Sequence, residues 1–459
     1  MTTNFGRHRS RPDRPYWDMG IEPLLDEPGL RELQWLKLQR RLSEAYETAP
    51  YWRRRLKEAD AAPERITSLG DFARRVPVFT KDDYRRLADD NDRAMPRILD
   101  DLLGPAAREL VAIAATSGTT GDPTPYPLTS RDLHLWGELT RRAAWRAGLR
   151  PGDMVLQAFG LSMFLAGVPV CMALAEMGVA AMPVGAEAGT EAVLKYARLF
   201  SPRAMYCTPS LADYLIESSI AAGVDLKELG IEILFAGGEP GAGMPAVRAR
   251  IEQAFGATLH DFGGGLGASC GHPEYTGMHW LVGDLAMMEL VDPDSHEPLA
   301  FEDGAEGLAV FTPLEAPGLM GIRQTNGDLM RVQTRPCPCG RTGWRYEYVG
   351  RSDDMLKVKG VMVYPQAVET VIRSFTPRVT GQFRIVLSEP PPRVVPPLRL
   401  RIERSPEVSG EGLDELAEQI VEEMRRRLKI RPAIEWVEPA TLERSTKKTQ
   451  LLAKEYSSS

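Results

Sequence analysis

One segment of the chain combines hydroxyl side chains and glycines in a pattern suited to holding phosphate groups. It runs from Ala115 to Thr124 with the sequence ATSGTTGDPT, after an apolar stretch and before a helix-like stretch that starts near Ser130. Glycines let a backbone approach a ligand closely, and backbone N–H groups together with hydroxyls can surround a triphosphate. The lysine-containing pattern of a Walker loop is absent. A plain surface turn rich in Ser, Thr and Gly is the alternative explanation.

A second group of reactive side chains consists of cysteines and histidines in segments that contain glycine and proline. Cys270 has His272 and His279 close by, and Cys337 and Cys339 are separated by one residue. Thiolates and imidazoles are ligands that Zn²⁺ prefers, so the group could hold a metal. Five cysteines in 459 residues are too few for a disulfide-stabilised scaffold.

An alternation of strand-like and helix-like segments must position these groups. The first hundred or so residues are predicted to be mainly helical, with one helix from Leu30 to about Thr48 that ends before Pro50. From about Val111, short apolar runs alternate with helical stretches, which is typical of an α/β fold with a mostly parallel sheet. Those runs lie at 110–113, 154–156, 204–207 and 231–235. After about Leu281 the helices thin out, and strands at 286–291 and 307–312 predict a smaller β-rich subdomain.

A second unit begins near Gly350. Strands are predicted at 355–359, 361–364, 381–387 and 398–404, and helices at 366–374 and 413–428. About a hundred residues is a normal domain size. The predicted organisation is therefore a large N-terminal domain, 1–350, and a small α+β C-terminal domain, 351–459.

Charge and hydropathy exclude several classes of protein. The formal net charge of −7 argues against a generic nucleic-acid binder. The N-terminus lacks the apolar segment of a secretory signal, which predicts a cytoplasmic location. The uncharged stretch from Met154 to Ala175 is long enough to span a bilayer, but Gly160, Gly167 and Pro169 interrupt it, so a buried strand followed by a buried helix is favoured. We expect neither nucleic acid nor a membrane as a partner.

Four motifs occur in the order found in one enzyme superfamily. Residues 115–124 resemble the phosphate loop of adenylate-forming enzymes, with the phenylacetate–CoA ligase branch as the nearest match. FAGGEP at 235–240 resembles the segment that holds adenine, TNGDL at 325–329 resembles the ribose-binding segment, and GRSDDML at 350–356 with KGVMVYP at 359–365 matches the hinge motif. The nucleotide-binding residues that this resemblance implies are Thr116, Ser117, Gly118, Thr119, Thr120, Gly121, Gly237, Gly238, Glu239, Asp261, Phe262, Gly263, Asp328 and Arg351.

The resemblance implies a reaction in two halves. A carboxylate attacks the α-phosphate of ATP to give an acyl-adenylate, and a nucleophile, usually the thiol of coenzyme A, then displaces AMP. Asp328 would accept hydrogen bonds from both ribose hydroxyls, and Arg351 would act as a catalytic residue that places a permanent charge near the nucleotide. A catalytic lysine near the C-terminus would stabilise the developing charge. The family pattern places it at Lys448, with Lys447 where glycine is usual.

The small domain of the resembled enzymes is mobile. It rotates between the half-reactions about a hinge, which corresponds to Asp353 here. Two simpler explanations stay open at this stage. Asp353 could be an ordinary turn residue, and the lysines at 447 and 448 could belong to a solvated basic surface run.

The chain departs from the family pattern where a glutamate usually binds the Mg²⁺ of ATP. Phe262 and Gly263 fit the family's Tyr-Gly pair, but Leu266 occupies the glutamate position. Because leucine cannot bind a metal through its side chain, Mg²⁺ would be held by ATP phosphates and water, with another acid such as Glu239 or Glu274. The alternative is that adenylation is weakened or lost.

The cysteines and histidines also occupy a family-like position. Related ligases carry E-C-x(6)-H followed later by C-x-C-G-R-T, and the spacing from His272 to His279 equals their Cys-to-His spacing. The resemblance implies a closed, structural Zn²⁺ site held by His272, His279, Cys337 and Cys339, with Cys270 as the alternate ligand. Free cysteines in a reduced cytosol are the other explanation.

The resemblance further implies that the substrate is an aryl or related carboxylic acid. Candidate side chains for the acyl pocket are Trp136, Phe159, Phe164 and Phe262, each of which is also explained as plain core. The expected small-molecule partners are the acid, ATP and CoA, and a homodimer is one possible assembly. Two other functions stay open: transfer of the acyl group to an amine or a carrier-protein thiol, and a nucleotide-binding zinc protein without ligase activity.

Overall fold

The structure is a computed structural model that describes residues 28–116, 124–263, 266–318, 321–341, 343–359, 361–443 and 451–456. Its helices are α1 (Gly29–Thr48), α2 (Pro50–Glu58), α3 (Leu69–Arg75), α4 (Lys81–Asp90), α5 (Met95–Leu103), α6 (Ser130–Ala147), α7 (Val168–Glu176), α8 (Gly189–Phe200), α9 (Pro209–Ala222), α10 (Pro245–Phe255), α11 (Pro365–Arg373) and α12 (Glu411–Leu428).

The strands of the large domain are β1 (Leu110–Thr116), β2 (Thr124–Thr129), β3 (Met154–Gln157), β4 (Ala180–Pro183), β5 (Ala204–Cys207), β6 (Ile233–Ala236), β7 (Thr258–Gly263), β8 (Gly267–Ser269), β9 (Met278–Trp280), β10 (Ala286–Val291), β11 (Glu306–Pro313), β12 (Asp328–Gln333) and β13 (Arg345–Arg351). Those of the small domain are β14 (Leu356–Val358), β15 (Val361–Val363), β16 (Val379–Leu387), β17 (Arg393–Val394), β18 (Arg399–Arg404), β19 (Ala433–Val437) and β20 (Leu452–Lys454).

One mixed sheet runs through the large domain. Its order within the described residues is β10-β11-β12-β13-β9-β8-β7-β6-β5-β3-β4. The strands from β7 to β4 are parallel, and β7 pairs antiparallel with β8 at the other side. All four residues of β5 and of β6 are buried, as expected for parallel strands covered on both faces. The sheet confirms the predicted α/β class, and the predicted β-rich subdomain is its antiparallel half.

The small domain is a compact α+β unit. A four-stranded sheet, β19-β18-β16-β20, and a three-stranded sheet, β15-β14-β17, share a core with α11 and α12. Leu416, Ile420 and Met424 form the buried side of α12 because residues four apart lie on one helix face. The chain leaves the large sheet after Arg351 and enters the small sheet at Leu356.

The uncharged stretch from Met154 to Ala175 folds as two separate elements, β3 and α7. Within the described ranges, no helix combines the length and the apolar character needed to cross a membrane. The prediction of a fully buried helix is wrong in one respect. Val168 and Met172 are 50% and 46% exposed, so α7 is buried on one side only.

A buried ion network fastens α6 to the antiparallel half of the sheet. The Arg142 guanidinium donates to both carboxylate oxygens of Asp284, at 2.6 and 3.0 Å, and to Glu138 at 3.0 Å. All three residues are at least 95% buried. Charges that are this deeply buried must be paired, because water no longer solvates them.

We expect Arg142→Met to destabilise the large domain by about 3–5 kcal/mol, because it leaves buried carboxylates without their shared cation. Urea denaturation followed by tryptophan fluorescence measures the change. The matched control is Arg203→Met, since Arg203 pairs with Asp153 and Glu232 at the surface and should contribute at most about 1 kcal/mol. Equal effects of the two substitutions would contradict a stabilising role for the buried network.

Candidate active site and metal centre

The turn after β6 lies against the end of β7. A Cβ atom at Gly237 would lie 1.8 Å from the backbone oxygen of Phe262, so a side chain cannot be accommodated there. Gly238 has a φ of +83°, which favours glycine. Glu239 accepts a hydrogen bond from the backbone N–H of Ser210 at 2.7 Å. The structure therefore brings together two segments that are far apart in sequence, 237–239 and 261–263.

Asp261 is held in a partly buried hydrogen-bond network beside this turn. Its carboxylate accepts a hydrogen bond from the Tyr275 hydroxyl at 2.7 Å, and its backbone N–H donates to the Ser269 hydroxyl at 2.9 Å. Burial raises the pKa of Asp261 to about 6, and the Tyr275 hydrogen bond and the charge of Arg248 only partly counter it.

Aromatic rings fill the space next to the turn. Phe262 packs edge-on against Tyr206 with ring centroids 5.4 Å apart, and Tyr206 stacks on Phe235 at 4.3 Å. Phe159 and Phe164 are in contact at 5.7 Å, and the Phe164 ring reaches Gly238. Among the four pocket candidates, Trp136, Phe159 and Phe262 are buried members of the large-domain core, while Phe164 packs against it.

Arg351 forms the centre of a chain of alternating charges at the junction of the two domains. It donates to Asp328 at 3.0 Å and to the backbone oxygen of Asn326 at 2.7 Å. It also binds both carboxylate oxygens of Asp353, at 2.8 and 2.7 Å. Lys81 at the start of α4 completes the chain, with its ammonium group 2.6 Å from Asp353.

The pairing of strands explains why these groups meet. Asp328 is the first residue of β12 and lies opposite Arg351, the last residue of β13. Burial disfavours a charged Asp353, but the hydrogen bonds and charge of Arg351 outweigh it and hold the pKa of Asp353 below its usual value. Lys81 was missed from the sequence, because a lone lysine 272 positions before its partner carries no pattern.

Several predicted residues fall outside the part of the chain that the structure describes. They are Ser117, Gly118, Thr119, Thr120 and Gly121 of the phosphate loop, the side chain of Thr116, and Lys448. The flanking backbone is described. β1 and β2 pair antiparallel up to Thr116 opposite Thr124.

The usual position of the magnesium-binding glutamate does not fit a metal in this chain. The Leu266 side chain is completely buried in the large-domain core. Its backbone oxygen accepts a hydrogen bond from Leu281. Two other acids were predicted as possible magnesium ligands, and their environments differ. Glu239 accepts a hydrogen bond from the backbone N–H of Ser210, whereas Glu274 lies at the surface.

Three cysteines and one histidine converge on one point. The ligand atoms of Cys270, His279, Cys337 and Cys339 all lie within 4.8 Å of one another. The sulfur atoms of Cys270 and Cys337 are 3.8 Å apart, and that of Cys339 is 3.5 Å from Nε2 of His279. Three sulfur donors and one imidazole in this arrangement suit tetrahedral Zn²⁺.

The preferred ligand His272 does not join this group, and the alternate Cys270 takes its place. His272 lies in the loop between β8 and β9, where its Nδ1 is hydrogen-bonded to the backbone of Glu274. Cys270 directly follows β8, and Ser269 pairs with Met278, so the hairpin sets Cys270 close to His279. Counting along the chain failed here because pairing across the hairpin, rather than linear spacing, decides which side chains meet.

The surroundings also fit a metal. His279 is 1% exposed, and burial followed by the charges of nearby arginines lowers its pKa to about 2, so the imidazole is in its neutral, metal-binding form. All five cysteines are free, in agreement with the exclusion of a disulfide scaffold. Of the two cysteines outside this group, Cys207 is buried and Cys171 is half-buried.

Comparison with known proteins agrees with this architecture. Residues 360–455 match the family described as AMP-binding enzyme C-terminal domain. The chain is 34% identical over 366 residues to a phenylacetate-coenzyme A ligase of Thermus thermophilus, which covers 78% of each chain. A solved 2-hydroxyisobutyryl-CoA ligase in the postadenylation state, bound to 2-HIB-AMP, is 27% identical, with a TM-score of 0.86 over 98% of this chain and 94% of that one.

The fold and these matches define an adenylate-forming enzyme. Within that superfamily, the chain belongs to the phenylacetate–CoA ligase family. This confirms the resemblance deduced from the motifs and the predicted class, the AMP-forming acid–CoA ligases.

A structure of the same solved ligase in a second state is also similar to this chain, but less so. In its thioesterification state, with 2-HIB-AMP and CoA, the same ligase is 29% identical over 95% of this chain and 92% of that one, but its TM-score is only 0.67. The structure described here is therefore more similar to that ligase in its postadenylation state than in its thioesterification state.

The raised pKa of Asp261 predicts a dependence of stability on pH. A group whose pKa is higher in the folded state stabilises the fold at low pH, and this stabilisation is lost as pH rises through the folded pKa, here about 6. Relative to Asp261→Asn, the wild type should lose about 2–3 kcal/mol between pH 4 and pH 7. Urea denaturation of both proteins at each pH measures this difference. Parallel pH profiles would contradict a buried, ionisable Asp261.

Proposed function

We propose that this protein uses ATP to activate an aryl or related carboxylic acid as an acyl-adenylate and then transfers the acyl group to coenzyme A. Membership of a family of CoA ligases supports the proposal. The observation that carries it is the Arg351 group, because one guanidinium links Asp328, the ribose-binding candidate, to Asp353, the hinge candidate.

The roles proposed for the chain's own residues follow from their places. Asp328, at the start of β12, would accept hydrogen bonds from the ribose hydroxyls. Arg351 would orient that carboxylate and add a positive charge near the nucleotide. Gly237, Gly238 and Glu239 would line the adenine, and residues 116–121 between β1 and β2 would surround the phosphates.

Lys448 is proposed to deliver positive charge to the reacting carboxylate and the α-phosphate, where negative charge develops in the transition state. It belongs to the small domain, so its delivery depends on the position of that domain. We propose domains 1–350 and 351–459 with a hinge at Asp353, which is supported by the passage of the chain from β13 to β14 at this point.

Magnesium is proposed to enter with ATP, held by phosphates and water, with Glu239 and Glu274 as the candidate acids. The leucine at 266 favours a second function, a nucleotide-binding protein without ligase activity. An amine or a carrier-protein thiol is the alternative acceptor to CoA. The cytoplasmic location, the lack of nucleic-acid and membrane partners, and the homodimer stay predictions from the sequence.

We propose that Cys270, His279, Cys337 and Cys339 hold a structural Zn²⁺. The site would join the β8–β9 hairpin to the segment that precedes β13, so one ion would fasten two separate parts of the sheet. Four protein ligands leave no open position, which is typical of structural rather than catalytic zinc. The proposed role of the zinc ion is therefore structural and not catalytic.

A panel of carboxylic acids in the ATP–pyrophosphate exchange assay, with and without Mg²⁺, tests the activity. We expect exchange with at least one aryl acid and thioester formation when CoA is added. Lys448→Ala should slow exchange about 10²–10³-fold, the usual cost of losing one group that stabilises transition-state charge. ATP binding, measured by calorimetry, should be retained.

Lys447→Ala is the matched control and should leave exchange unchanged. If Lys447→Ala slows exchange and Lys448→Ala does not, the lysine assignment is wrong. Exchange without thioester formation would favour another acceptor. ATP binding without exchange for any acid would favour the nucleotide-binding protein.

Metal analysis of the purified protein tests the zinc site. We expect about one zinc per chain in the wild type, retention in His272→Ala, and loss in Cys270→Ser, because the thiolate at 270 is a ligand and the imidazole at 272 is not. Cys171→Ser, on α7, is a control for the loss of a thiol elsewhere. Substoichiometric zinc in the wild type, or loss in His272→Ala alone, would contradict the site.

A further inference from the structure

A second group of charged side chains crosses the boundary between the domains, separate from the Arg351 group. Arg373 at the end of α11, in the small domain, has Nη1 3.4 Å from Oδ2 of Asp213 on α9 of the large domain. The Arg373 Nε donates to Glu369, one turn earlier, at 2.9 Å. Asp213 has a second neighbour in its own domain, since its Oδ1 lies 3.3 Å from Nε of Arg250 on α10. One carboxylate is thus shared by an arginine from each domain.

The contact is buried, in contrast to most ion pairs at protein surfaces. Arg373 is 9% exposed, Asp213 7% and Glu369 4%. Burial disfavours the charge of Arg373, but Glu369 and Asp213 outweigh this and hold its pKa above the usual value. Because buried charges interact strongly with correctly placed partners, the pair restricts how α11 can lie against α9.

The contact lies close to the candidate nucleotide site. Asp213 is one helical turn after Ser210, whose backbone N–H donates to Glu239 of the adenine segment at 2.7 Å. The negative charge of Glu239 also contributes to the raised pKa of Arg373. The position of the small domain is therefore linked through α9 to the segment proposed to hold adenine.

We propose that Asp213 is a positioning residue for the adenylation half-reaction: through Arg373 it holds the small domain in the arrangement that forms the acyl-adenylate. The structure is more similar to the solved ligase in its postadenylation state, with a TM-score of 0.86, than to the same ligase in its thioesterification state, with a TM-score of 0.67. The inference rests on the proposed function, because only a two-step ligase needs the small domain to deliver a lysine and then to leave.

Each residue of the contact also has an oppositely charged neighbour in its own domain, which allows the contact to open and close. When the domains separate, Asp213 keeps Arg250 and Arg373 keeps Glu369. Neither charge is then left without an opposite charge, so the cost of opening is smaller than that of breaking an isolated buried pair. Such a contact can hold one arrangement without preventing the other.

The two half-reactions, measured separately, test the proposal. Asp213→Asn keeps the shape of the side chain but removes its charge. We expect it to slow acid-dependent ATP–pyrophosphate exchange about tenfold, within the usual range of coupling between two states, while thioester formation from supplied acyl-adenylate and CoA is not reduced. Asp153→Asn is the matched control, since Asp153 pairs with Arg203 inside the large domain, and both of its half-reactions should stay at the wild-type rate. Arg373→Lys, which keeps the charge, should retain most of the exchange activity.

A measurement without substrates separates this proposal from the proposed function. Fluorescent amino acids at the exposed positions 195 and 414 report the distance between the domains by energy transfer. Asp213→Asn should change the transfer efficiency relative to the wild type and to Asp153→Asn. Unchanged transfer, or an equal slowing of both half-reactions, would overturn the role of Asp213. If the wild type forms no adenylate, the proposed function fails, and the transfer measurement still decides whether Asp213 positions the domain.

Discussion

The position of Arg351 between two carboxylates is the interaction on which the rest of the candidate site depends. Asp328 and Asp353 belong to different segments and are proposed to serve different purposes, ribose binding and domain rotation. A single planar guanidinium with several donors can engage both at once, which a lysine could not do with comparable geometry. Since Arg351 is the last residue of β13, the register between β12 and β13 fixes where this cation stands.

Two ion pairs join the small domain to the large domain near the candidate nucleotide site: Lys81 with Asp353 and Arg373 with Asp213. Lys81, on one of the N-terminal helices, contacts Asp353, the proposed hinge residue, and this contact is half-exposed. Arg373, on α11 of the small domain, contacts Asp213 of the large domain and is buried. Exposed pairs contribute little and are weakened by salt, whereas buried pairs are directional and less screened. The buried contact is thus better suited to set orientation, and the exposed contact to tolerate repeated opening.

Much of the fold followed from the sequence because local patterns decide local elements. β10 occurs at the predicted bounds, 286–291, and α1 ends before Pro50 as expected. The wrong or missing predictions have one cause: contacts between residues far apart in sequence cannot be deduced from local sequence patterns. His272 and Cys270 are two positions apart, and only the β8–β9 hairpin decides which of them meets Cys337. In the same way, nothing near Lys81 or Asp213 in the sequence signals a partner in the other domain.

The contact between Gly237 and the backbone oxygen of Phe262 has a consequence for variation at this site. The atom that requires a glycine at 237 belongs to the main chain, and every amino acid at 262 supplies the same oxygen. The closeness of the two segments is therefore independent of the ring at 262, so a phenylalanine can stand where tyrosine is usual without moving the turn. The side chain at 262 is constrained only by its packing in the core, whereas the glycine at 237 is required by the path of the backbone itself.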